Sequence, residues 1–173
     1  MLKTLFQISS NKWYWLAFLA LGISLEGVAL FYQYGLDYMP CVLCIHIRVW
    51  VVGMIAVSLL ALFLYKQWQG LLLAQLLMSI IGAGMLERSY QLLGTERGFL
   101  SGACSMDSGL PDWFALDVWV PVMFEVQEPC GYTPELLFGV TMAEALIVFS
   151  AILFLMSALF VWANLATQMA KNK

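Results

Sequence analysis

Four cysteines are the residues of this chain best suited to chemistry: Cys41, Cys44, Cys104 and Cys130. Paired thiols and disulfides exchange electrons two at a time, and the thiolate is the reactive form. Pro40-Cys41-Val42-Leu43-Cys44 is a C-x-x-C motif. A disulfide across two intervening residues closes a very small loop and removes little entropy from the unfolded chain, so it makes a poor staple. It is better placed as a redox centre. Pro40 suits a helix start, where a missing N–H costs nothing, and the partial positive charge of a helix N-terminus favours a thiolate. Cys104 and Cys130 could close a larger loop, with Gly102 and Ser105 beside Cys104 and with Pro111, Pro121 and Pro129 between the two cysteines. A soluble partner could reach sulfur atoms in so polar a setting. A long-loop disulfide also stabilises, so the spacing leaves this second pair open between staple and redox centre.

The elements that must position these sulfurs are membrane spans. Of the 173 residues 62% are hydrophobic and only 11% charged. A soluble chain carries about a quarter charged residues, so lipid must supply part of the solvent here. Four stretches supply the roughly 20 apolar residues a spanning helix needs: about 13–34, 41–65, 68–93 and 136–162. The expected fold is an all-α four-helix transmembrane bundle, residues 1–173 forming a single integral membrane domain. A loop over about 94–135 is too long for an ordinary connection, which points to a functional or partly disordered segment. All five lysines (Lys3, Lys12, Lys66, Lys171 and Lys173) fall in the tails and the turn after span two, and none of the eleven acidic residues does. The positive-inside rule then places both termini in the cytoplasm. All four cysteines fall on the opposite, disulfide-permissive side. The first span is longer than a signal peptide, carries Glu26 and lacks a small-residue cleavage site, so it is expected to be a retained anchor.

Other chemistries fit less well. A zinc site would need Cys104 and Cys130 as its remaining ligands, and the 25 residues between them are not a zinc-ribbon spacing. One histidine excludes a bis-histidine haem, and Ile45 after Cys44 breaks the C-x-x-C-H haem signature. Gly82-Ala83-Gly84 sits in mid-span with no preceding strand, so it is no dinucleotide fingerprint. A net charge of −3 offers no field for nucleic acid. By elimination, a lipid-soluble quinone is the common two-electron acceptor that remains.

Charges inside spans usually mark function, and there are four: Glu26, Arg48, Glu87 and Arg88. Glu26 and Arg48 each lie roughly 10–12 Å below the outer helix ends, and Glu87 and Arg88 lie in the same leaflet. They could form an ion-pair network that locks the bundle, or a site. Cys41, Cys44 and Arg48 stand at i, i+3 and i+7, on one helix face. A guanidinium one turn from Cys44 would stabilise a thiolate or donate to an acceptor's oxygen. His46 points elsewhere on that helix and reads as an interfacial polar residue. In the loop, Trp113, Leu116 and Val120 fall on one helical face that Pro121 terminates, as expected of a short interfacial helix.

Together these residues resemble the DsbB family, disulfide bond formation proteins of Gram-negative inner membranes. The resemblance rests on Pro40-Cys41-Val42-Leu43-Cys44, on Arg48 one turn below, and on the loop cysteines with Asp117-Val118-Trp119-Val120-Pro121 between them. It spans nearly the whole chain. It implies a quinone-dependent oxidase of a periplasmic thiol oxidase, DsbA. Reduced DsbA would attack a Cys104–Cys130 disulfide at Cys104. Electrons would then pass to Cys41 and Cys44. Cys44 would meet ubiquinone, or menaquinone without oxygen, in a charge-transfer adduct beside Arg48, and Glu26 occupies a position where the family often has a carboxylate. One departure is Ile47, where the resemblance leads one to expect a polar residue. Competing classes are a quinone reductase of the vitamin K epoxide type, a scaffold with two staples, and a small transporter. The first should carry its C-x-x-C late in the chain, and the last gives the outward cysteines no role.

Overall fold

The computed structural model describes residues 2–100, 106–137 and 139–171. A short amphipathic helix α1 (Leu2–Ser9) precedes α2 (Lys12–Gly35), α3 (Val42–Leu64) and α4 (Trp68–Glu96). The long loop carries a 3-10 turn (Asp112–Phe114), then the single-turn helices α5 (Leu116–Trp119) and α6 (Pro121–Phe124). A two-stranded hairpin, β1 (Glu135–Leu137) with β2 (Val140–Thr141), leads into α7 (Met142–Lys171). Helices α2, α3, α4 and α7 are long and apolar enough to cross a membrane. This is the expected four-helix bundle.

The bundle closes because α3 packs between α2 and α4, while α4 lies along α7. Small residues let backbones approach without lipid between them. Gly82 does this for α4 and α7: a Cβ there would come within 2.8 Å of the Phe154 backbone nitrogen and Cα. Several buried hydroxyls in the spans are satisfied locally, as a medium without water favours. Ser58, Ser150 and Ser157 donate to the carbonyls of Met54, Leu146 and Leu153, one turn back on their own helices. Phe63, Ile80, Val148, Leu155 and Trp162 remain exposed on the outer faces, where lipid is the solvent.

The start of the fourth span differs from the hydropathy reading, for a capping reason. The fourth span begins at Met142 rather than near 136. Thr141 and Glu144 form a reciprocal capping box: Glu144 N donates to Thr141 Oγ1 at 3.4 Å, and Thr141 N donates to Glu144 Oε2 at 3.1 Å. The apolar residues before it form the hairpin, which turns at Gly139 with φ +76°. Glu144 also pairs with Arg97, tying the start of α7 to the end of α4. The first span starts where the hydropathy reading put it: Asn11 accepts from Trp13 N and caps α2. Ser9 lends its carbonyl to the Trp15 indole N–H, so α1 folds back against the bundle instead of extending α2.

The Gly82 contact yields a prediction. Gly82→Ala should destabilise the protein by about 1–3 kcal/mol, the usual cost of overpacking. Gly27→Ala, where a Cβ meets nothing within 4 Å, should be neutral or stabilising by about 1 kcal/mol at most. Thermal unfolding in detergent separates the two; equal losses would show that the α4–α7 approach is not tight.

Candidate functional site

The C-x-x-C motif caps α3 with its own sulfur. Cys41 is the N-cap residue, in extended conformation, and its Sγ accepts from Cys44 N at 3.4 Å. The Cys41 and Cys44 sulfur atoms lie 2.9 Å apart. Cys41 is almost fully buried, while Cys44 opens onto a cavity. The turn before them is set by Asp37 at φ +56° and by Tyr38 N donating to Tyr32 O.

The long loop is strapped across this helix start. The Pro40 carbonyl accepts from Gln127 N at 3.0 Å and Glu128 N at 3.4 Å, and Glu128 forms a parallel bridge with Cys41. Two residues later, Cys130 comes into hydrogen-bonding contact with the Cys41 thiol. Three of the four cysteines therefore meet at one point. Cys104 lies outside the described residues. The Cys130 contact draws the Cys41 thiol toward ionisation, but the hydrogen bond to Cys44 and burial outweigh it and push Cys41 up to about 12. Cys41 thus keeps its proton in the reduced state.

Arg48 lies one turn below Cys44 and is 7% exposed. Its Nη1 donates to Gln33 Oε1 at 2.6 Å and to the Met123 carbonyl at 2.9 Å, and its Nη2 donates to the Ala29 carbonyl at 3.1 Å. The guanidinium therefore joins α2, α3 and the loop. Of its five N–H donors, Nε–H and one Nη2–H make no hydrogen bond among the described residues. Further contacts hold the loop: Tyr34 Oη donates to Val122 O at 2.6 Å, and His46 Nε2 donates to Ser108 O at 2.7 Å. Ser108 in turn donates to Asp117 Oδ2 at 2.7 Å. His46 is thus a loop tie. The Trp113–Val120 segment is helical in single turns rather than one continuous helix, broken at Ala115 and Val120.

Beneath Cys44 is a cavity of about 220 Å³ between α2, α3 and α7. Leu25, Val28, Ile47, Val51, Leu146 and Phe149 make its wall apolar. Cys44, Arg48 and Glu26 are the chemically active groups in it. Both Glu26 carboxylate oxygens are buried with no hydrogen-bond partner among the described residues. The four charges within the spans do not form one network. Arg88 donates to Gln91 and Gln91 donates to Glu87, a chain along α4 itself that lies outside this cavity.

Gln33 and the carbonyls of Met123 and Pro40 were not foreseen from sequence. Carbonyls leave no residue signature, but Gln33, a polar side chain near the outer end of an apolar span, was a readable signal.

Comparison with known proteins agrees with these residues. The sequence profile of the family described as "Disulfide bond formation protein DsbB" matches residues 11–160. A disulfide bond formation protein B from Shewanella frigidimarina is 32% identical over 139 residues, covering 80% of this chain and 82% of its own. Disulfide bond formation protein B 2 from Pseudomonas aeruginosa is 29% identical over 158 residues, covering 90% and 91%. The Haemophilus influenzae protein B is 28% identical over 151 residues, covering 86% and 84%.

The unequal burial and protonation of the first pair predict unequal labelling. In fully reduced protein at pH 8, iodoacetamide should modify Cys44 well before Cys41. With a thiol pushed up to about 12, the Cys41 rate should climb about tenfold per pH unit between pH 8 and 10. Mass spectrometry of quenched samples reads both sites; equal rates at pH 8 would contradict the assignment.

Proposed function

The chain belongs to the DsbB family, and we propose that it is a protein-disulfide:quinone oxidoreductase that reoxidises a DsbA-type thioredoxin-fold partner. The lysine distribution supports a multi-pass placement in a bacterial inner membrane, with both termini cytoplasmic and the cysteines periplasmic. The observation that carries the proposal is that Cys41 touches both Cys44 and Cys130.

Thiol–disulfide exchange then runs through adjacent sulfurs. A partner thiolate attacks the Cys104–Cys130 disulfide at Cys104, and the partner's second thiol resolves the mixed disulfide, leaving the partner oxidised and the loop pair reduced. The Cys130 thiolate attacks Cys41 in the Cys41–Cys44 disulfide and expels Cys44. Attack at Cys44 would instead expel Cys41, whose high pKa makes it the poorer leaving group. Cys104 then attacks Cys130, restoring the loop disulfide and releasing Cys41 as a thiol. The electron pair now resides on Cys41 and Cys44, with Cys44 at the cavity beside Arg48.

The cavity suits the head of ubiquinone, or of menaquinone. It is apolar, it lies at membrane depth, and Arg48 has N–H donors left over for a carbonyl oxygen. The uncompensated Glu26 carboxyl is a polar group that a bound ligand would relieve. When bound, a quinone supplies an acceptor for two electrons and two protons. Arg48 would orient its oxygen and hold the Cys44 thiolate, while Glu26 lines the same cavity.

The test is anaerobic mixing of the quinone-loaded protein with a reduced thioredoxin-fold partner. One quinol per partner disulfide is expected, lost in both Cys104→Ser and Cys44→Ser. Intact disulfides and no quinol would leave a stapled scaffold. Arg48→Ala should raise the KM for quinone by about 10–100-fold, the worth of hydrogen bonds from a charged donor. Single-turnover exchange between the partner and the loop pair should continue in that variant; an unchanged KM would remove Arg48 from the acceptor site.

A further inference from the structure

The lysine-bearing end of the bundle, opposite the cysteines, holds a second cavity of about 510 Å³ that the redox chemistry does not use. Ser10 after α1, Tyr65, Lys66 and Trp68 at the α3–α4 turn, and Thr167 and Gln168 on α7 line it. Among the described residues, Lys66 is the only charged one in its wall. No acidic residue occurs in the segments 1–12, 65–68 or 168–173, and Lys66 makes no ion pair among the described residues. Its ammonium instead stands 5.9 Å from the centre of the Tyr65 ring. The protein thus supplies a cation at this cavity and no counter-charge.

The hydrogen-bonding groups favour an anion as well. Ser10 Oγ and Thr167 Oγ1 donate to their own helix carbonyls, Phe6 O and Ala163 O, each at 2.7 Å. Donors for a ligand are therefore the Lys66 ammonium, the Gln168 amide, the Tyr65 hydroxyl and the Trp68 indole N–H. One turn deeper on the face of α7 that carries Gln168 is Asn164. It is fully buried, and neither atom of its amide has a hydrogen-bond partner among the described residues. Asn164 is not part of the cavity wall and lies behind the site. Phe6 and Leu71 add apolar wall, and Trp68 and Tyr65 sit where aromatic residues meet lipid headgroups. A basic pocket between helix ends that is partly apolar matches a headgroup with its attached chain better than a free ion.

We propose that this cavity binds the phosphate-bearing headgroup of an anionic phospholipid, with Lys66 as its counter-charge. The experiment uses the full-length protein in neutral detergent, titrated with phosphatidylglycerol, phosphatidylcholine or inorganic phosphate. Native mass spectrometry counts bound lipid, and thermal unfolding reads the stabilisation. One phosphatidylglycerol should be retained and should raise the Tm, whereas phosphatidylcholine should not. Lys66→Gln should weaken binding about five-fold, the worth of one lysine at a membrane surface, while Lys66→Arg stays within about two-fold. Lys12→Gln removes a lysine from the same end of the bundle but outside the cavity, against Trp13, and should also stay within about two-fold. Three results would each overturn the proposal: equal binding of phosphatidylcholine, equal weakening by Lys12→Gln, or full stabilisation by inorganic phosphate alone. The last would mark a free-anion site.

Discussion

A guanidinium buried among lipid-facing helices must find hydrogen-bond acceptors in protein, and Arg48 takes its acceptors from both sides of the site. Gln33 and Ala29 bind it to α2, and the Met123 carbonyl binds it to the loop. Without water to compete, such bonds hold firmly, and losing a partner is costly. One residue therefore fixes the spacing of α2 and α3, forms part of the cavity wall beneath Cys44, and presses the loop onto the bundle. With the loop held there, the Pro40 carbonyl can catch Gln127 and Glu128, and Cys130 arrives at Cys41.

The sulfur atoms are graded by environment along this arrangement. Cys130 lies partly open on the loop, Cys41 is buried at the helix cap, and Cys44 faces an apolar cavity. A dithiol formed at Cys41 and Cys44 is thereby shielded from bulk thiols and disulfides, and its accessible neighbours are the loop sulfur and whatever occupies the cavity. Leaving-group chemistry points the same way. Attack from the loop at Cys41 releases Cys44, the sulfur next to Arg48.

Much of this was legible from residue types and spacing. The four spans follow from apolar run lengths, and the five lysines are what supports the proposed outward side of the cysteines. The shared face of Cys41, Cys44 and Arg48 follows from helical period. Run length alone misplaced the start of α7, because the apolar residues from Leu136 also make a hairpin and the Thr141–Glu144 capping box decides where helix begins. It left α1 unread, because eight residues are too few to register as a span. Depth placed Glu87 and Arg88 in the same leaflet as Arg48, but rotation about α4 turns them onto another face, and depth does not encode rotation. The Arg48 clamp and the Pro40 strap join segments about 75 to 90 residues apart through backbone carbonyls, for which no side-chain pattern exists.

The contact between Cys41 and Cys130 is the joint on which the relay depends, and it can be measured by itself. A variant carrying Cys44→Ala and Cys104→Ala retains only those two cysteines. Mild oxidation of the purified protein, followed by alkylation, proteolysis and mass spectrometry, should yield an intramolecular Cys41–Cys130 disulfide in most molecules with the fold unchanged. If both cysteines instead remain alkylated singly, or link only between molecules, the two pairs do not meet and the relay through Cys41 is wrong.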